Sequence, residues 1–557
     1  MMSDFDLCVV GSGAGAAPII FRFAEAGKKV LVLEKGPWFT KDDFSKDELV
    51  ASRRSVYTPN LKDEPQVIEE ELNDGSWEAE SNFDSGWDFW NGNMVGGSSN
   101  LMSGYFHRLK PKDFRLLSEF GPIEGANVVD WPISYEDLEP YYAMVESIVG
   151  VSGKVLDHPF QEPRSTPDFP YPPLAVNDMS LWIDKACEAM GLHSLPTPRA
   201  ILSLPEDKRN ACYYSNFCGS YGCSSDAKGS ARAALLNKAF ATGNVEIRPQ
   251  SKVFKLESDK DGNIAAVHYY NEEGKSISVS AGEYVVACQA IETSRLLLAS
   301  TGIKHPNGIG NHSGQLGKNL IFSAGGTGQG DFLFDDLSQE QIEAIDRPGL
   351  FINRNLQDWY YFEDEDFDGP TKGGLIDFLW RHSNGITRAN IQKKDDDGNL
   401  LWGKELKRKM EFYFKRSRHL RFEVFNDWLP NDNCFVSLDP EVKDKWGDPV
   451  AKFRIGYLEH DLKVGRFLSR KAVKVLEEMG AKNVYFSVGG SPPANLQAGG
   501  CRFGNDPETS VLDANCKVHG VSNLHVTDGS FMPTGGSVPY TFTIYANAFR
   551  VADVMLK

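Results

Sequence analysis

Apolar and polar positions alternate along the chain in several distinct ways. Phe5 to Val10 is a short apolar run that ends on Gly11-Ser12-Gly13-Ala14-Gly15-Ala16-Ala17. A helical stretch then reaches Gly27, and a second apolar run, Val30-Leu31-Val32-Leu33, closes on Glu34. Apolar runs of this length bounded by glycine predict strands, so the order is strand, glycine turn, helix, strand. From Lys41 to Glu80 the residues are polar, with charges of both signs and no clean period, which predicts an excursion or lid outside the sheet. His419 to Asp439, with Arg421-Phe422-Glu423-Val424-Phe425 inside it, alternates as strands do, and so does Lys452-Phe453-Arg454-Ile455-Gly456. Asp461 to Met479 has helical spacing, so the pattern predicts a second domain with its own antiparallel sheet. Residues 360–369 and 393–399 are charged and read as solvated loops. No repeat of roughly 20–50 residues is visible.

The glycine turn has a physical reading at each position. Gly11 permits the tight turn, Gly13 lets backbone approach a pyrophosphate, and small Ala16 lets the helix pack on the strand. The helix N-terminus then faces the phosphates. Glu34 lies about 20 residues on, where a carboxylate accepts hydrogen bonds from ribose hydroxyls.

Composition narrows the class. At 557 residues the chain exceeds one compact core, and 41% hydrophobic with 24% charged residues argue against disorder. The net charge of −18 repels phosphate backbones and anionic lipid, so nucleic acid is not an expected partner and a small molecule is. Nine cysteines, an odd number, and an N-terminus without a basic stretch ahead of an apolar segment predict a cytoplasmic, reducing location, with export only if a partner subunit carries the chain. No apolar run reaches about 18 residues, so direct membrane insertion as a helix is not expected.

Three more segments sharpen the picture. Met94-Val95-Gly96-Gly97-Ser98-Ser99-Asn100 is a second glycine-rich turn, and Ala287-Cys288-Gln289-Ala290-Ile291-Glu292 reads as a strand end entering a helix. Gly500-Cys501-Arg502-Phe503-Gly504-Asn505-Asp506-Pro507 leads through Val518-His519-Gly520 to Leu524-His525-Val526-Thr527-Asp528-Gly529-Ser530. In this order and spacing the segments resemble the glucose-methanol-choline (GMC) oxidoreductases, from Phe5 to Leu556. Asp130-Trp131-Pro132-Ile133-Ser134-Tyr135 is most similar to the branch that holds the large subunits of gluconate and fructose dehydrogenases.

The resemblance implies an α/β fold: a Rossmann-like FAD-binding domain of GMC type with an inserted substrate domain on an antiparallel sheet. Its pieces would be 1–40, 85–155, 210–320 and 485–557 for FAD, 41–84 as the excursion, and 156–209 with 321–484 for the substrate. It implies FAD in an extended pose. Gly11, Gly13, Gly15 and Ala16 would lie at the pyrophosphate, Glu34 at the ribose and Val253 beside adenine. Gly96, Gly97 and Ser98 would lie near the flavin, with Asp528 and Gly529 approaching the same end. A small or electron-transfer partner subunit is a further implication.

The catalytic positions depart from the family. Its histidine, in a His-x-x-Gly-Thr segment, maps onto Leu496, and its second position, histidine or asparagine before a proline, maps onto Val538. A one-residue shift offers Asn495 or Gln497 for the first and Ser537 for the second, which hydrogen-bond but are poor bases. His519 and His525 sit inside the fingerprint and read as structural. His419 and His382 lie on the expected second-domain strands and are the candidates for a base from a new direction.

Cys212, Cys218 and Cys223 fall within twelve residues. Some dehydrogenases of the branch hold a three-iron cluster in this loop, but the last gap here is four residues where theirs is three, and buried thiols or a local disulfide stand ahead of that reading. The leading expectation is an FAD-dependent dehydrogenase or oxidase acting on a CH–OH group of an alcohol or sugar-like donor, with a non-standard base. The alternatives are a lyase, isomerase or decarboxylase acting on an apolar substrate, since Leu496 and Val538 are inert, or an electron-relay subunit.

Overall fold

The computed structural model describes residues 5–49, 59–72, 74–85, 91–347, 350, 352–395, 397–490 and 496–557. The apolar runs at the N-terminus form the centre of a five-stranded parallel sheet. Its order is Leu524–Val526, Glu283–Val286, Leu7–Val10, Val30–Leu33, Val245–Arg248. Leu7–Val10 and Val30–Leu33 are buried throughout, as strands covered on both faces must be. The helix Ala17–Glu25 follows the glycine turn with Pro18 in its first turn, where a missing N–H costs nothing. It packs against the C-terminal helix Thr541–Met555 through Phe21 and Phe549 and through Arg22 and Asp553 (2.9 Å).

A second, antiparallel sheet is assembled from distant segments. Thr327–Leu333 and Gly374–Leu379 flank the long strand Ser417–Asp427, with Lys482–Ser487 beyond the first and Ile352–Leu356 and Leu195–Pro196 beyond the second. The alternation in Ser417–Asp427 has a clear meaning. Leu420, Phe422 and Val424 are buried in one cluster with Phe467, Leu468 and Val475 of the helix Glu459–Glu478, which covers that face. Arg421, Glu423 and Phe425 face the other way.

The polar stretch expected as an excursion does stand outside the parallel sheet, and it contains a hairpin, Val67–Glu71 and Trp77–Ser81. It extends Phe435–Lys443 and Pro449–Ile455 into a four-stranded sheet. Glu69 accepts ion pairs from Lys452 (2.7 Å) and Arg454 (2.8 Å) on the neighbouring strand. Most of the hairpin's second half is exposed, so its sequence has no core-facing period to betray it. Phe435–Lys443 and Pro449–Ile455 thus leave the expected substrate-domain sheet, and Ile68, Val436, Phe453 and Ile455 form a small core with Ile291. Among the described residues no helix is long and apolar enough to cross a membrane.

Candidate active site

A cavity of about 620 Å³ runs from the C-terminal ends of the parallel strands to the antiparallel sheet. Gly11, Gly13, Gly15, Glu34, Val253, Gly97, Ser98, Asp528 and Gly529 all line it. Ala16 and Gly96 stand behind this surface.

Each glycine has its own reason. Gly11 has φ +93°, and a Cβ there would lie 2.4 Å from the Ala287 carbonyl oxygen. Gly13 is different: a Cβ would meet no atom within 4 Å and would project into open space. The second turn touches the first, since a Cβ on Gly97 would come 3.1 Å from Gly13 Cα. Ser12 fastens the two turns, accepting from the Gly96 N–H (2.9 Å) and donating to Glu34 Oε2 (2.5 Å). Glu34 Oε1 accepts from the Gly36 N–H (2.8 Å). Burial holds the Glu34 carboxyl above its ordinary range, against these hydrogen bonds.

Asp528 is saturated. Its Oδ2 accepts from Gln289 N (3.0 Å) and Thr293 Oγ1 (2.5 Å), and its Oδ1 from Ser530 N (2.9 Å) and Ser530 Oγ (2.5 Å). The carboxylate therefore fixes the turn that carries Gly529.

The far wall is polar. Arg421 and Glu423 enter from the antiparallel sheet, Tyr105 from the segment after the second glycine turn, and His382 from just beyond Gly374–Leu379. Tyr105 Oη stands 3.5 Å from Glu423 Oε2. Burial raises the Glu423 carboxyl, opposed by the Arg421 charge and the Tyr105 hydroxyl. Burial and then the positive charges of Arg421 and Lys228 push His382 down to about 4, so it is neutral at pH 7.

A family model described as GMC oxidoreductase matches residues 79–322, and a second of the same description matches 430–548. The chain belongs to the GMC oxidoreductase family. A 2-methyl-1,2-propanediol dehydrogenase of Mycolicibacterium austroafricanum is 28% identical over 99% of this chain and 95% of its own. The fructose dehydrogenase large subunit of Gluconobacter japonicus is 27% identical over 83% and 80%. Among solved structures, a formate oxidase of Aspergillus oryzae aligns over 100% of this chain and 98% of its own, with a TM-score of 0.65 at 17% identity. This GMC oxidoreductase is an FAD-dependent enzyme of the dehydrogenase or oxidase type. The open space at Gly13, the abutting glycine turns and the buried Glu34 suit that cofactor.

The residue that the resemblance aligns with the family's first catalytic position faces the cavity. Leu496 lines it, with φ +68°, a strained value for a branched side chain. Histidine tolerates this region better than leucine does, and a β-branched residue tolerates it least. Leu496→His is therefore expected to keep or raise the unfolding midpoint, and Leu496→Val to lower stability by about 1 kcal/mol, as calorimetry would show.

The residue aligned with the second position is placed differently. Val538 is buried away from the large cavity, beside a separate one of about 40 Å³. Ser537, with φ +49°, accepts from Lys372 Nζ (2.9 Å) and donates to the Gly373 carbonyl (2.9 Å), so its hydroxyl is committed. Gln497 lines the cavity but accepts from Gln289 Nε2 (2.5 Å). Asn495 lies outside the described residues.

Of the two histidine candidates, His382 lines the cavity and His419 does not. His419 shares a strand face with Arg421 but sits past the cavity's end, its Nδ1 2.5 Å from Asp331 Oδ1 and its ring on Tyr413. His519 bonds Ser510 Oγ (3.0 Å), and His525 is buried in the parallel sheet. Glu423 and Arg421 were missed because a charged residue in an alternating strand looks like a solvent-facing position.

All nine cysteines are free, and among the described residues no group of three or more His, Cys, Asp or Glu side chains is disposed to hold a metal. Burial pushes Cys212 up to about 12. Burial also acts to raise Cys223, but Lys228 and nearby hydrogen bonds outweigh it and hold that thiol below its ordinary value.

Proposed function

We propose that the protein oxidises the CH–OH group of a small polar alcohol or sugar-like donor, with a proton acceptor other than the family's histidine. The observation that carries this reading is one continuous cavity joining the glycine cradle to a wall of ionisable side chains, with Leu496 at the histidine's place. In this reading the amides of the first glycine turn and the helix behind it face the diphosphate, which needs no basic cluster. Glu34 accepts from the ribose, Val253 flanks adenine, and Gly97, Ser98 and Gly529 close on the flavin end. Bound there, FAD supplies an acceptor for the hydrogen and electron pair of a C–H bond. The protein's own side chains orient the alcohol, exclude water and take up the hydroxyl proton.

Relatives named for a diol and for fructose support a hydroxylated donor. An apolar substrate is the weaker reading, because Arg421, Glu423 and Tyr105 share the cavity with Leu496. Nine free thiols fit a reducing compartment, and a partner subunit is proposed by analogy with the fructose enzyme, which is named as a large subunit.

The test is anaerobic addition of 2-methyl-1,2-propanediol, D-fructose and a wider panel of alcohols and sugars to the flavoprotein. Bleaching of the oxidised flavin band by at least one of them is expected. No bleaching across the panel would remove the reading.

A further inference from the structure

The position where the family carries its base is an inert leucine, and the antiparallel sheet brings one carboxylate into the same cavity. The register of that sheet sets Glu423 between Thr327 on one side and Asp377 on the other, and sets Arg421 opposite Leu379. Helix Glu459–Glu478 occupies the opposite face, so this row of side chains points to the cavity. Glu423 is half-buried and Arg421 is exposed, and both line the same space as Leu496 and Gly529. Among the described residues the Arg421 guanidinium has no carboxylate within ion-pairing distance. A charged donor and a carboxylate two positions apart on one strand face are thus held out toward a ligand.

We propose that Glu423 takes the hydroxyl proton of the donor, with Arg421 holding the oxygen from which that proton leaves. This rests on the alcohol-oxidation reading above. The O–H bond breaks and its proton passes to the Glu423 carboxylate. The C–H bond breaks with both electrons, which leave as hydride to the acceptor that FAD supplies, and the carbon–oxygen double bond forms. The donor thereby loses two hydrogens and two electrons.

The charged and titratable groups around Glu423 favour this role. Arg421 flanks it on its own strand, and Tyr105, with the Arg199 guanidinium 5.6 Å from its ring, approaches from the loop after the second glycine turn. Asp377, register-paired on the neighbouring strand, is fully buried, accepts from Thr197 Oγ1 (3.0 Å) and has His107 Nε2 3.9 Å away. Burial holds the Asp377 carboxyl well above its ordinary range, with Glu423 adding to the effect, and burial raises Glu423 as well, against the Arg421 charge and the Tyr105 hydroxyl. His382 lines the cavity as a neutral ring. Of the two carboxyls, Glu423 is the one that lines the cavity, and its upward shift suits a base.

The experiment uses FAD-loaded wild type, Glu423→Gln, Glu423→Asp and Arg421→Gln. With 2-methyl-1,2-propanediol, or whichever panel alcohol bleaches the wild type, Glu423→Gln is expected to slow anaerobic bleaching at saturation by about 10²–10⁴-fold, with Glu423→Asp retaining part of the rate. The wild-type rate should fall on the acid side, where Glu423 is protonated, and that limb should be missing in Glu423→Gln. Sulfite, which adds to oxidised flavin without any donor, is an independent probe of the charge beside the ring. Its binding should tighten roughly tenfold in Glu423→Gln and weaken in Arg421→Gln.

A wild-type rate and pH profile in Glu423→Gln would overturn the proposal, as would unchanged sulfite affinity in both variants. If no alcohol bleaches the wild type while sulfite affinity still shifts, the alcohol reading fails and takes the base assignment with it. That result differs from failure of Glu423 alone, in which wild type and Glu423→Gln bleach equally fast.

Discussion

Gly13→Leu is expected to fold and to purify without flavin colour. The reason lies in what surrounds that position. A Cβ there meets no protein atom within 4 Å, and φ at Gly13 is not in the left-handed region, so a side chain is accommodated by the protein itself. The space it fills is the cavity end between the two glycine turns, where the cofactor's diphosphate must approach backbone. A leucine side chain there should weaken FAD binding by about 4 kcal/mol, roughly a thousandfold. The measurement is the ratio of flavin to protein absorbance, with thermal unfolding compared against deflavinated wild type, because bound cofactor stabilises the fold by mass action. Gly11→Ala is the control with the opposite signature. Its φ of +93° and its 2.4 Å approach to the Ala287 carbonyl oxygen predict lost stability before lost cofactor. A coloured Gly13→Leu protein would place the diphosphate elsewhere.

Lys372→Met should cost about 3–5 kcal/mol of stability. Lys372 is buried between two carboxylates, Asp427, which it touches closely, and Asp113 at 3.4 Å. Together they hold the loop that carries Ser537 and Val538. Asp427 Oδ1 accepts from the Gly536 N–H (2.7 Å), and Tyr360 Oη lies 2.8 Å from Asp113 Oδ2 and 2.9 Å from the Gly536 carbonyl. Methionine fills a similar volume but leaves two buried acids without a cation. Burial already raises Asp113 above its ordinary range, and Lys372 is the chief opposing influence. Its loss raises the folded-state value further, so the folded protein then binds more protons than the unfolded chain at pH above about 4. Stability should therefore decline as pH rises from that point, and the deficit against wild type should narrow on acidification. Urea titrations at several pH values would check both the size and the sign. A deficit below 1 kcal/mol, or one independent of pH, would show that the acids are not relying on Lys372.

The two variants divide what was legible from what was not. The turn at Gly11 to Ala17, its strands and Glu34 were readable because each requirement is local: an allowed φ, a missing Cβ, a carboxylate at a set distance along the chain. Helix Glu459–Glu478 was readable for the same reason, since its period repeats within a few turns. The hairpin Val67–Ser81 was not, because its polar strands gain their partner, Pro449–Ile455, nearly four hundred residues away. Val538 was aligned with the family's second catalytic position, yet the Lys372 network fixes the preceding Gly536 and Ser537, and Val538 lines a separate small cavity.

By itself the sequence determined the order of strand, glycine turn, helix and strand and the presence of a second glycine turn, and it set Leu496, which offers no lone pair, where the resemblance expects a histidine. Only the tertiary structure decided which side chains share a cavity with Leu496. Strand pairing sets Thr327, Asp377 and Glu423 side by side from segments about fifty and a hundred residues apart, and a helix on one face leaves the other to the cavity. A charged residue in an alternating strand has the same sequence signature whether it faces water or a substrate. Which one it faces is fixed by the element packed against it.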